Sequence, residues 1–132
     1  MPLHMIKLVV GCDDIAELAD WYRSHPPIVR TRQTPKRAQE IVEGGGSIYR
    51  IIKGQILLRQ KIVAIDTIGV GPASRCEIRM DPNFVLVAPT PRRAFQGWRY
   101  FTEEDAPADL EAGGGAEMPT ALAAQLRELG AW

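Results

Sequence analysis

The chain has 132 residues and a mass of 14.6 kDa, with 45% apolar and 24% charged residues. That suits one globular domain and excludes a multidomain enzyme, a disordered tail or a disulfide-dense scaffold. Net charge is zero from 16 basic and 16 acidic residues, but the charges are segregated: residues 23–99 carry 14 Lys/Arg against five Asp/Glu, whereas residues 1–22 and 100–132 sum to −3 and −6. A basic middle between acidic ends can create a local field on a neutral molecule, although solvated arginines on sheet edges and turns would give the same count.

Cys12 and Cys76 have no metal or redox spacing, and the opening MPLHMIKLVV lacks a basic leader and a cleavage pattern, so the cytoplasm is the expected compartment. No run approaches the roughly 18 apolar residues that span a bilayer, so no membrane association is expected.

Residues 3–10 (LHMIKLVV) read as a buried strand. Asp13 offers a cap for a helix over DDIAELADWYRSH, in which Ile15, Leu18, Ala19 and Tyr22 share a face; Pro26 and Pro27 end it. IVRTR at 28–32 alternates as a strand. Thr34-Pro35 predicts the start of a second helix, PKRAQEIVE, stopped by Gly44 to Gly46. From Ser47 the period becomes two: SIYRIIK, a Lys53-Gly54 turn and QILLRQKIVAID form a hairpin. SRCEIRM, a turn at Asp81-Pro82-Asn83 and FVLVA continue the sheet, PTPRRA at 89–94 reads as a loop, and FQGWRYF at 95–101 reads as the last strand. Residues 112–132 read as a glycine linker and a helix, with Leu122, Leu126 and Leu129 on one face, docking on a domain formed by residues 1–111. The sum is an α+β domain built on a small curved mixed sheet or pseudobarrel of six to seven strands with flanking helices.

His4, Cys12, His25 and Cys76 never fall at zinc-ligand spacing, so neither metal nor cofactor is expected, and Cys76 on an alternating strand reads as a small core residue. The segment PRRAFQGWRYF interleaves Arg92, Arg93 and Arg99 with Phe95, Trp98, Tyr100 and Phe101. Guanidinium groups answer phosphates and aromatic faces stack on bases, so this composition suits a single-stranded nucleic-acid groove; a closing strand with Phe95 and Trp98 in the core and the arginines paired to Glu103, Glu104 and Asp105 would read the same way. Gly97 permits a close backbone approach or a bulge. A second basic set comes from Lys36 and Arg37 at the start of helix two, where they oppose the dipole, and from Arg50, Lys53, Arg59 and Lys61 in the hairpin. Gln60, set among apolar neighbours, needs a hydrogen-bond partner if buried.

The blocks PKRA, IKGQILLRQ and RRAFQGWRY, together with the opening strand and the final LRELG, are similar to the bacterial family called DUF1489 over nearly the whole chain. That resemblance implies boundaries but no activity. A looser resemblance, in the order helix, strand, turn, long strand, is to PUA-like domains of the ASCH and EVE groups; the ASCH G-x-K-x-x-E-x-R pattern is absent in register, so the likeness bears on fold.

The favoured expectation is an RNA-binding domain that recognises structured RNA or an unstacked nucleotide, modified ones included. In it Lys36, Arg37, Arg50, Lys53, Arg92, Arg93 and Arg99 contact phosphate, with Tyr49 and Trp98 as stacking rings. The rival expectation is an amidohydrolase acting on a modified nucleoside, which the ASCH resemblance suggests and which would need Thr34, Lys36 and Glu77 to converge. A third is an interaction module or homodimer that sets the acidic tail against the basic face.

Overall fold

A computed structural model describes residues 2–110; the expected linker and C-terminal helix lie outside this range. The elements run β1 (Leu3–Leu8), α1 (Ile15–Ser24), β2 (Ile28–Thr31), α2 (Ala38–Glu43), β3 (Ser47–Ile52), β4 (Gln55–Ile68), a 3₁₀ turn (Gly71–Ala73), β5 (Arg75–Pro91) and β6 (Trp98–Thr102). The six strands form one curled mixed sheet, a half-barrel, in the order β2-β5-β4-β3-β1-β6. Only β1 and β3 pair in parallel, across the crossover that contains α1, β2 and α2.

The curl comes from β4 and β5, a long hairpin whose register shifts at Ile56/Leu58, Gln60/Ile62 and Ile62/Ala64. Each shift bends and twists the ladder. One of them corrects the expected turn at Asp81-Pro82-Asn83. Ile62 pairs with Met80 and Gln60 with Phe84, so residues 81–83 bulge opposite Lys61 and β5 continues through them. The Asp81 side chain accepts the Asn83 N–H at 2.9 Å, and Pro82 has no N–H to lose. The strand also reaches Pro91, three residues into the expected loop.

Asp14 rather than Asp13 caps α1, accepting the Glu17 N–H at 2.8 Å. Helix two begins at Ala38 rather than Pro35, because the Thr34 hydroxyl bonds the Thr67 hydroxyl at 2.7 Å instead of capping and Arg37 is outside helical geometry. Among the described residues, three apolar clusters fill the fold. Ile15 and Leu18 of α1 pack with Ile52, Leu57 and Leu58. Ile41 of α2 packs with Met5, Ile48, Ile62, Cys76 and Ile78, which places Cys76 in the core. Ile6, Tyr49, Ile51, Ile56 and Phe101 form the third, on the sheet's other side. β3, central and covered on both sides, has all six residues buried.

Candidate anion-binding surfaces

Side-chain alternation divides the expected site. On β6, Trp98 and Tyr100 share one side of the sheet, and Arg99 and Phe101 share the other. Trp98 is half-buried against the α2-side cluster, its indole N–H donates to the Gln33 carbonyl at 2.9 Å, and its ring meets Tyr100 edge-on. Tyr100 in turn accepts the Arg37 backbone N–H at 3.2 Å. The pair therefore clamps the loop between β2 and α2 to the sheet edge.

Arg37 and Lys36 sit in the turn that precedes α2. The Arg37 guanidinium donates to Glu40 at 3.0 Å, and that bond raises the arginine's pKa and lowers the glutamate's. This corrects the expectation that a helix dipole leaves these charges in need of an external anion: Arg37 stands before the helix and has a carboxylate of its own. Lys36 is exposed.

On the opposite side, Arg99 lies over the Phe95 ring at 4.2 Å from its centroid, and Arg92 lies 5.9 Å from the same ring. The Arg92 N–H donates to the Gly54 carbonyl at 2.8 Å, which brings the Arg92-Arg93 loop beside the exposed Lys53-Gly54 turn. Arg92 and Arg99 thus share the Phe95 ring, Lys53 and Arg93 are their chain neighbours at that turn and loop, and among the described residues none of the four has an acidic partner. Gly97 is there for its backbone: φ is +75° and a Cβ would meet nothing within 4 Å, so a left-handed turn, not a close approach, selects it. A hollow of about 560 Å³ between Phe95, Gln96, Lys7 and Leu8 adjoins this group.

Two expected surface residues are interior. Tyr49 is 3% exposed and packed edge-on with His4 and Phe101, so it has no face open to a base; burial pushes its phenol up to about 12. Arg50 is 4% exposed, too deep for a polymer backbone to reach. Its Nη1 donates to Gln60 Oε1 at 2.9 Å, the partner that a buried Gln60 requires. Both residues belong to β3, where the strand's central position overrides alternation.

The sequence reading missed a polar cluster that fastens residues 103–110. His4 Nδ1 accepts the Ser47 N–H at 2.9 Å, which leaves Nε2 to donate to the Glu103 carboxylate. Arg59 grips Asp109 through two bonds. Both carboxylates come from the segment after β6, where Glu103 meets His4 rather than Arg92, Arg93 or Arg99. Thr34, Lys36 and Glu77 are not joined by any hydrogen bond among the described residues; Thr34 meets Thr67, and Glu77 pairs with Arg30. No group of three or more potential metal ligands occurs among the described residues, and no helix there is long and apolar enough to cross a membrane.

The family model DUF1489, described as "Protein of unknown function (DUF1489)", matches residues 5–132. The chain belongs to the DUF1489 family. No curated protein and no solved structure matched it. In this DUF1489 chain the PKRA block forms the turn into α2, the IKGQILLRQ block forms the β3–β4 hairpin, and the RRAFQGWRY block leads into β6.

Proposed function

We propose that this protein is a cytoplasmic RNA-binding domain whose basic side, built from Lys53, Arg92, Arg93 and Arg99 around Phe95, holds single-stranded or locally unpaired RNA. The observation that carries this reading is the Arg99 guanidinium laid over Phe95 next to Arg92 and the Lys53 turn. A guanidinium held over a ring offers its own plane to a stacking base, and the neighbouring cations answer phosphates. Pro89 and Pro91 stiffen the approach to Arg92, which lowers the entropy lost when these groups are ordered on a ligand. Trp98 serves this surface from behind, by fixing β6.

The test is a titration of the full chain with a fluorescent single-stranded RNA, comparing wild type with Arg92→Gln/Arg93→Gln and with Lys36→Gln. Binding that weakens in the first variant and holds in the second supports the assignment. Equal binding by all three proteins would overturn it.

A further inference from the structure

A different feature lies on the helix-covered side of the sheet. Arg50 and Lys7 are direct partners in the parallel pairing of β3 with β1. Arg50 is almost fully buried, its Nη1 is used by Gln60, and among the described residues its Nε and the Gln60 Nε2 have no hydrogen-bond partner. Lys7 is half-buried, and burial together with the Arg50 charge pulls its ammonium below the ordinary lysine range. Burial likewise pushes the Arg50 guanidinium down, opposed only by Tyr22 and Cys12.

Buried cations normally come paired with a carboxylate, because the cost of desolvating a lone charge is several kcal/mol. Here two cations are adjacent, and among the described residues neither forms an ion pair. Arg30 at the mouth is already held by Glu77. Both cations line a cavity of about 370 Å³, whose other walls include Leu18, Tyr22 and Trp21 of α1 and, among the described residues, carry no acidic side chain. Trp21 is 51% exposed and stacks on His25 with ring centroids 3.5 Å apart, which sets an aromatic ring at the entrance.

We propose that this cavity binds a small organic anion, with its carboxylate or phosphate head on Arg50 and Lys7 and a flat or apolar body against Tyr22 and Trp21. The Arg50 guanidinium, which lines the cavity, supplies directed donors and Lys7 supplies a mobile point charge, the combination that suits an oxyanion. A purely structural role fits poorly, since apolar residues in place of an unpaired buried charge would stabilise the fold. Arg50 and the α1 walls set this cavity apart from the Arg99 side of β6, although Lys7 and Leu8 also border the hollow beside Phe95, so the two lie next to one another.

The test follows the melting temperature and the Trp21 indole N–H signal of the full chain during titration with adenosine monophosphate and, separately, with benzoate. A saturable rise in melting temperature with a moving Trp21 signal supports the site, and the responding compound tells a phosphate head from a carboxylate head. Arg50→Met/Gln60→Leu should abolish the response while melting at or above the wild-type temperature. Should that variant not fold, Arg50→Lys, which keeps the charge and loses the fork, should weaken the response by about tenfold. No response to either compound, or one that survives in the folded variants, would overturn the proposal.

Discussion

Arg59 and Asp109, 50 residues apart in sequence, are joined by two hydrogen bonds, Nε to Oδ1 at 2.8 Å and Nη2 to Oδ2 at 2.7 Å. Arg59 also donates to the Ser47 hydroxyl at 2.9 Å, so one side chain ties the segment after β6 to the middle of the sheet. The guanidinium lowers the Asp109 pKa, and Asp109 raises that of Arg59. A carboxyl group depressed on folding contributes stability above its unfolded value, and the contribution is lost as pH falls through the folded value. Asp109→Asn should therefore cost about 1 kcal/mol at neutral pH, a modest figure because the carboxylate is half-exposed. In thermal melts the gap from wild type should begin to narrow as the pH falls past the ordinary aspartate value, about 4, and should close only below the lowered folded value, where the wild-type carboxylate also becomes neutral. A gap unchanged at low pH would mean that the charge contributes nothing.

Trp98 should act on stability before it acts on binding. Its ring packs on the α2-side cluster and its N–H holds the Gln33 carbonyl. Trp98→Phe keeps most of the packing and should cost about 1 kcal/mol, the value of the hydrogen bond. Trp98→Ala removes both and should cost about 3 kcal/mol. Denaturant midpoints check the pair; an alanine variant as stable as wild type would place the ring outside the fold's support.

How much of this was legible depended on whether a local pattern decided the outcome. The period-two hairpin from Ser47 and the helical face of Ile15 and Leu18 follow from side-chain geometry alone, and both elements formed where expected. Pro82 misled because a proline with Asp and Asn beside it marks a bulge as readily as a turn, and the deciding fact is a partner strand twenty residues away. Arg50 misled for a related reason: in a strand covered on both sides, alternation no longer separates inside from outside. Its apolar neighbours in IYRII were the available sign, as they were for Gln60. Trp98 and Arg99 read as one cluster in sequence, yet adjacent strand residues point to opposite sides.

If RNA is held by the four cations around Phe95, binding should be strongly salt-dependent. On single strands the logarithmic slope is about −0.7 for each phosphate neutralised, so about −3 is expected for four contacts. Arg92→Gln/Arg93→Gln should bring the slope near −1.5. Filter binding at several salt concentrations measures this directly, and equal slopes for the two proteins would remove both arginines from the contact.

Gly46 and Gly97 should respond very differently to alanine. At Gly46 an added Cβ would lie 2.1 Å from the Leu3 carbonyl oxygen and 2.9 Å from the Ile41 side chain, so either β1 or α2 must move. Leu3 begins β1, and Gly46 also offers its carbonyl to the Ile62 N–H at 3.0 Å, so movement there disturbs three elements at once. Gly46→Ala should cost more than about 3 kcal/mol, in the range of severe overpacking. At Gly97 the Cβ would meet open space, and only the left-handed backbone at φ +75° resists it. Gly97→Ala should therefore cost about 1 kcal/mol. Equilibrium unfolding of both variants would check the contrast, and similar losses at the two sites would show that the approach of Gly46 to β1 is looser than its geometry implies.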